Sequence, residues 1–515
     1  MKVALTLGLD EADDESALRE RVARKLKRPA DDLPSVTLVR RSIDARGRKV
    51  RFQLEVAVGE SPQVVSAPPR EVSGPRRVVI VGDGPTGLFC AYQLARHGIP
   101  CLILDRGKQV QPRRRDLRVL NQEGRTPVDS NYCFGEGGAG TYSDGKLYTR
   151  ANKRGPVRDV IATLADNGAP AQILTDARPH IGSNKLPKVV TAMRDRLIAC
   201  GVEFRFETKV TGLLVEGDRV AGVRVEGGEE IAAERVVLAT GHSARDVHVL
   251  LREAGVALEP KPFALGVRIE HPQPLINEIQ YGSDAGHPKL PAASYRVAAT
   301  VDDRGVFSFC MCPGGWIVPA ATGPNELVVN GMSLSKRNSP FANSGFVVAI
   351  EPSDWEHAGY DDVFGGVELQ RAIEGAAFQA GGGNLVAPAV RVTDFLEGRA
   401  SSSLPKTSYI PGVASADVES VLDGSGLAIA DRLRAALTEF GRRLRGYVSE
   451  EAILVATESR TSSPVRVPRD PETLEASLRG LYPAGEGAGY AGGIASAAID
   501  GIRVAEQIAQ RLTST

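Results

Sequence analysis

Cysteine is scarce: six in 515 residues, too few and too scattered for the disulfide framework of a secreted scaffold. Net charge is absent, with 63 Lys+Arg against 63 Asp+Glu, so electrostatics give no support for a nucleic-acid or anionic-membrane partner. No apolar run approaches the ~18 residues of a membrane span. The first residues, "MKVALTLGLDEADDES", turn acidic at Asp10 and show no apolar core of signal-peptide length. A cytoplasmic protein is the expectation. The seven histidines form no metal-ligand spacing, so no metal is expected. There is no convincing internal repeat. What is abundant is glycine, at 55 residues against 5% aromatics, and it comes in clusters. Clustered glycine indicates loops that cradle a ligand.

The length predicts two to four domains. Residues 1–60 read as a small α+β module of ferredoxin-like character. A strand at "VALTL" is followed by a helix with Leu18, Val22 and Leu26 on one face, then by two alternating strands around Ala45–Gly47. Its charges nearly balance, which favours a docking or lid module over RNA binding. Residues 61–75, "SPQVVSAPPREVSGP", read as a linker. Residues 76–260 alternate strand and helix. Residues 261–450 are strand-rich and then helical, and residues 478–515 close the chain with a strand, a glycine loop and a long helix. The predicted class is α/β: a three-layer Rossmann-like domain made of 76–260 and 451–515, with 261–450 as an inserted α+β substrate or cap domain.

The clearest motif is "VVIVGDGPTGLFCAYQLARHGIPCLILDRG". A buried strand runs into Gly82, Gly84, Pro85, Thr86 and Gly87, then a helix, then a second strand ending in Asp105 and Arg106. The first glycine permits the tight turn, the second lets backbone approach a pyrophosphate, and the third lets helix and strand pack. The helix N-terminus offers N–H groups to phosphate. Asp105 is placed for a ribose 2′-OH, which favours FAD or NAD over NADP; as a plain strand-end residue it would need no ligand.

Two further glycine segments separate FAD from NAD. "FGEGGAGTYSDGKL" carries Gly137, Gly138, Ala139 and Gly140, then Thr141, Ser143, Asp144 and Lys146. That is more than NAD needs, whereas a ribityl chain and isoalloxazine would use it. In "GLYPAGEGAGYAGGIASAAIDG", a strand ends in Gly485 and Glu486, whose carboxylate can accept from a ribityl hydroxyl. The helix N-terminus near Gly492, Gly493 and Ile494 can aim N–H groups at a flavin edge. A tight strand-helix turn would explain one or two of these glycines, not all of them.

These segments together with "VVLATG" resemble the glutathione-reductase-like FAD flavoproteins. More closely, the chain is similar to a bacterial family of FAD-dependent dehydrogenases of undefined substrate. That likeness rests on "SIDAR", "RPHIGSNKL", "ATGHSARD", "FCMCPGG", "NGMSLSKRNSPFANSG", "SYIPGV" and "TESRTSSPVRVPRD" and spans nearly the whole chain. The resemblance implies FAD at Gly82, Gly84, Gly87, Asp105, the 137–146 loop and Glu486. It also implies an adenine contact by the backbone of Val210, and Thr240 and Gly241 along the cofactor. Asp105 stands where the wider class usually has Glu, and Glu486 where it commonly has Asp.

Cys310 and Cys312 in "FSFCMCPGG" are the candidate catalytic residues. They read either as a redox pair beside the flavin or as two inert core thiols. His180 and His242 fall near the expected flavin, and Arg113–Arg115 read as a solvated or pyrophosphate-side run. Arg460 and Arg466 are open between binding an anionic substrate and pairing with acids. The expected function is hydride or electron transfer between non-covalent FAD and a small organic molecule. A flavin monooxygenase or halogenase, and an FAD-carrying binding protein without turnover, are the other readings. The expected partners are the small-molecule substrate and, transiently, NAD(P)H or a redox protein; no nucleic acid and no membrane are expected.

Overall fold

The computed structural model describes residues 1–11, 13–59, 66–149 and 155–513. Around the fingerprint, five short strands form a wholly parallel sheet in the order Leu481–Pro483, Arg235–Leu238, Val78–Val81, Cys101–Leu104, Glu203–Arg205. Both faces are covered, which is why these strands read as unbroken apolar runs. Val78, Ile80, Cys101 and Ile103 point to a layer of helices that includes Pro85–Arg96, Leu186–Ala199 and Ile494–Thr513. Val79, Val81, Leu102 and Leu104 point the other way, onto a three-stranded antiparallel meander at Val210–Glu216, Arg219–Val225 and Glu230–Ala232. The result is three layers: helices, parallel sheet, meander. The closing helix crosses the fingerprint helix at glycine distance, since a Cβ on Gly501 would stand 2.1 Å from the Thr86 carbonyl oxygen.

The chain leaves and re-enters this domain through a two-stranded ribbon, Glu259–Pro260 against Val465–Arg466. Between them lies a seven-stranded sheet in the order Ala298–Val301, Arg304–Cys312, Phe341–Ile350, Phe263–Pro272, Ile453–Glu458, Ala387–Arg391, Val413–Ser415. All its neighbours are antiparallel except the last pair. Leu265, Val267 and Ile269 face a core closed by the helices Gly365–Ala380 and Ile429–Arg443. The boundary drawn at 450/451 is corrected here. The strand Ile453–Glu458 pairs with Phe263–Pro272 and Ala387–Arg391, so the inserted domain ends in the 460s. What fixes the boundary is the pairing of this strand with partners far away in sequence, which no local pattern encodes.

Residues 2–58 form strand, helix, strand, strand with the sheet order Lys2–Gly8, Arg51–Val58, Val36–Asp44, antiparallel throughout. Asp14 caps the helix Glu15–Leu26 by accepting from the Ala17 N–H. The module bridges the other two domains. Its Val50 N–H donates to Asp284 of the inserted domain (2.7 Å), and Arg41 exchanges backbone hydrogen bonds with Thr175 and Ala177 of the fingerprint domain. Of the linker expected at 61–75, residues 61–65 lie outside the described residues. The rest is laid against the fingerprint domain rather than free: Arg70 N–H donates to the Ala95 carbonyl and Val72 N–H to that of Cys200. Among the described residues no helix is long and apolar enough to cross a membrane.

Candidate functional site

One cleft runs between the fingerprint domain and the inserted sheet. Its fingerprint wall is backbone. Gly82 takes φ +107° and has no room for a side chain, since a Cβ would lie 2.4 Å from the Ala239 carbonyl oxygen. Gly84 is different: a Cβ there would meet nothing nearer than the Gly138 Cα at 4.0 Å, because this backbone faces the open cleft. The helix that begins at Pro85 has no side-chain cap and no acid in its first turn. The helix that begins at Ile494 has no acid in its first turn either, so two positive helix ends line one cleft. Pro85, Thr86, Ala139, Gly140, Val210, Thr240, Gly241, Gly493 and Glu486 line the same space. This is a cradle for a long polar dinucleotide, and the residues present fit FAD.

Five expected contacts shape the wall from behind instead. Gly87 packs the helix on the Gly82 carbonyl, where a Cβ would stand at 2.0 Å. Gly137 faces Thr141, whose hydroxyl donates to the Glu136 carbonyl (2.7 Å). The Gly485 N–H donates to Asp500 (2.8 Å), and Gly492 is tied to Ser496. Asp105 lines the cleft with its carboxylate already accepting from the Asp83 and Gly107 N–H groups (3.0 and 2.8 Å). Arg106 lies over the Phe134 ring and pairs with Asp246. Beneath them Asp83 is fully buried, and burial, then Asp105 and Glu136, push its carboxyl well above the usual range.

The glycine loop is held by a residue whose role the sequence hid. Arg113 is fully buried, not solvated, and donates to the carbonyls of Asn131, Tyr132, Glu136 and Gly138. Arg114 and Arg115 are exposed. Farther along the loop, Asp144 is nearly buried and accepts from Ser333 and from Arg337 (2.6 and 3.1 Å). Burial works against its charge, yet Lys146 and Arg337 outweigh it and hold the carboxyl well below the usual range. Arg337 and Ser333 belong to "NGMSLSKRNSP", so that segment of the inserted domain clasps the glycine loop. Ser143 stays local, its hydroxyl donating to the Gly140 carbonyl.

The inserted wall is side chain. Phe309, Cys310, Asn330, Glu458 and Arg460 face the cleft. Arg268 is fully buried and binds Glu458 (2.5 Å), Asn343 (2.9 Å) and the Cys310 carbonyl (3.0 Å). Burial pushes the Glu458 carboxyl up, against the pull of Arg268. Of the two candidate cysteines only Cys310 lines the cleft: Cys310 is exposed, Cys312 is buried behind it, and Lys146 reaches the two sulfurs at 3.8 and 3.5 Å. The open question on Arg460 resolves toward pairing. It binds the fully buried Glu374, which Arg245 of the fingerprint domain also binds (2.8 Å each), so this network welds the two domains. Arg466 stacks at 5.7 Å on the Tyr490 ring. His242 lies 3.6 Å from Glu486 at the cleft, and His180 meets the Ser335 carbonyl at 3.2 Å. Among the described residues no cluster of His, Cys, Asp or Glu is arranged to hold a metal ion.

Known families match along the chain. Residues 76–123 match an FAD binding domain, 185–306 an FAD dependent oxidoreductase, and 262–461 the C-terminal domain of FAD-dependent proteins. Residues 2–59 match a domain of unknown function. An uncharacterized protein of Clostridium beijerinckii is 38% identical over 98% of each chain. A digeranylgeranylglycerophospholipid reductase of Haloferax volcanii is 28% identical over 32% of this chain and 36% of its own. Among solved structures, CtdE in complex with FAD gives a TM-score of 0.33 at 12% identity, over 85% of this chain and 89% of that one. A flavoprotein/dehydrogenase from Cytophaga hutchinsonii gives 0.38 at 12% identity, over 85% and 79%. With full-length identity to the Clostridium protein and FAD-dependent domains matched along that length, the chain belongs to the same family, one of FAD-dependent oxidoreductase-type flavoproteins.

Proposed function

We propose that this protein exchanges hydride or electrons between its FAD and a small organic substrate held against the inserted sheet. One observation carries the reading: a single cleft has a backbone wall shaped for the cofactor and, opposite it, a wall of functional side chains. FAD supplies the two-electron chemistry. The chain's own residues do the rest. The Gly82–Gly87 turn and the Pro85 helix end take the pyrophosphate, and Glu486 with the 137–146 loop takes the ribityl and ring region. Val318, Ala320, Val328 and Val329 give the substrate side an apolar floor, which suits an organic molecule with an apolar body and a polar end. Glu458 and Lys146 are the groups placed to hold or pass a proton there. The reductase likeness over part of the chain is in keeping with this reading.

The test is anaerobic reduction of the purified holoprotein by a panel of small organic donors, followed by flavin absorbance. Rapid bleaching by one class supports the proposal. NADPH oxidation coupled to oxygen insertion or halogenation would replace it with an oxygen-using reaction. FAD that no donor reduces would leave a binding protein.

A further inference from the structure

The strand Arg304–Cys312 is irregular at one place. Phe309 pairs with Gly345 and Cys312 with Asn343, so three steps of one strand lie against two of its neighbour, a β-bulge. Cys310 sits in that bulge at φ +47°, a conformation a non-glycine residue rarely holds and one that recurs at working sites. The bulge aims both sulfurs at one ammonium, that of Lys146, which comes from the glycine loop across the cleft. One sulfur is open to the cleft and the other is buried behind it, its S–H donating to the Cys310 carbonyl (3.2 Å) with Arg268 at 3.9 Å.

We propose that Cys310 and Cys312 are a dithiol–disulfide couple that exchanges two electrons with FAD, and that the substrate is a small-molecule thiol or its disulfide. This rests on the proposed function above and names its substrate class. In the oxidising direction a substrate thiolate attacks the Cys310 sulfur of the protein disulfide. That S–S bond breaks and Cys312 leaves as the thiolate. A second substrate thiolate attacks the substrate sulfur of the mixed disulfide, releasing the substrate disulfide and the Cys310 thiolate. Closing the protein S–S bond again passes two electrons and two protons from the dithiol to oxidised FAD, so the sum is two thiols plus FAD giving one disulfide plus reduced FAD. The division of labour follows from access. Cys310 is the sulfur a substrate reaches, and Cys312 is the internal partner. Burial pushes the Cys312 thiol up to about 11, while Lys146 and Arg268 work the other way and stand ready for the thiolate when it leaves.

The experiment uses the full-length holoprotein. Diamide treatment, digestion and mass spectrometry should find the peptide that spans both cysteines short of two hydrogens. Anaerobic glutathione or dithiothreitol should bleach the flavin of the wild type. Cys310→Ser and Cys312→Ser should keep FAD and lose that bleaching, while Cys200→Ser should bleach as the wild type does. Absence of the Cys310–Cys312 disulfide after diamide, or wild-type bleaching by Cys312→Ser, overturns the couple and leaves the FAD reading standing. A chain that carries no FAD but forms the disulfide sinks the FAD reading instead. If the serine variants fail to fold, equilibration of wild-type protein in glutathione redox buffers, read by mass, decides: a reversible dithiol–disulfide transition supports the couple, and its absence refutes it.

Discussion

The two walls of the cleft are built in opposite ways. The fingerprint wall is almost bare backbone, with glycine wherever a Cβ would strike the protein or the cofactor. The inserted wall is side chain, an apolar floor with Glu458 and Arg460 set into it, and these two charged groups are fixed by partners far away in sequence: Glu458 by Arg268 and Arg460 by Glu374. A cofactor bound by many members of a superfamily is met by backbone, whose geometry a local motif can specify. A particular substrate is met by side chains, and these are held by long-range pairs.

Breaking the first wall should have the largest effect. Gly84→Val puts a branched side chain into the open cleft where the pyrophosphate is proposed to lie, since no protein atom lies closer than 4.0 Å to a Cβ there. The variant should fold and emerge colourless, with its flavin-to-protein absorbance ratio falling to near zero after gel filtration. Stoichiometric FAD in a folded Gly84→Val protein would separate this wall from cofactor binding altogether.

The second wall should break through stability rather than ligand loss. Glu374 is fully buried and accepts from Arg245, Arg460 and Ser459. Burial opposes its charge, but Arg245 and Arg460 hold the carboxyl well below the usual range. Removing it leaves two buried guanidinium groups with only Glu326 to share, at 2.6 Å from Arg460 and 3.5 Å from Arg245, and breaking a buried pair in this way costs about 3–5 kcal/mol. Both tryptophans, Trp316 and Trp355, lie in the inserted domain, so urea unfolding followed by their fluorescence reports on this wall. Glu374→Ala should shift that transition strongly to lower urea. A shift within experimental error would mean that the network is not what joins the domains.

The same contrast explains what could be read from the chain alone. The parallel sheet, the fingerprint helix and the glycine loops were legible because each is a local pattern: an apolar run, a turn residue, a cap. The strand Ile453–Glu458 was not read from the sequence, and its residues were placed with the fingerprint domain, since the partners that bury it, Phe263–Pro272 and Ala387–Arg391, are tens to hundreds of residues away. Arg113 looked like one of three arginines in a solvated or pyrophosphate-side run because burial is not a local property. The Cys310 bulge was invisible because a strand with one extra residue keeps the composition of a strand. Pairing was what located Glu458 at the cleft with Arg268 behind it, and Arg337 behind Asp144, and no spacing in the sequence encodes it.

A smaller effect probes the inserted wall by pH. Glu270 is buried and accepts from the Ser408 N–H (2.8 Å). Burial, opposed by Ser408 and Thr407, pushes its carboxyl up from 4.5 to about 7. Between those values the folded state keeps a proton that the unfolded chain has released, so stability falls as pH rises through this window and levels off above about 7. The loss is on the order of 3 kcal/mol. Asp144 and Glu374, held low, act with the opposite sign and only below the ordinary carboxylate range. Glu270→Gln should therefore flatten the urea midpoint between pH 5 and 7.5 (a range chosen to bracket the shift). An unchanged slope would assign the wild-type dependence to another group.

The smallest effect expected is from nicotinamide. A dinucleotide site of the fingerprint kind needs parallel strands joined by a helix, with the glycine turn at the carboxyl end of the first strand. In the inserted domain the one parallel pair, Ala387–Arg391 with Val413–Ser415, lies at the sheet edge. The helix Val392–Leu396 that follows its first strand starts directly after Arg391, with no glycine turn between them. Elsewhere in that sheet the strands are antiparallel, and its glycines close turns or let strands approach, as Gly266 does against the Phe346 carbonyl at 2.2 Å. On the function proposed above, the fingerprint itself is taken by FAD. Anaerobic titration with NADH and NADPH should therefore give weak binding and slow bleaching. Micromolar affinity with fast bleaching by either would show that the side-chain wall can build a nucleotide site without the backbone motif, and the contrast between the two walls would have to be redrawn.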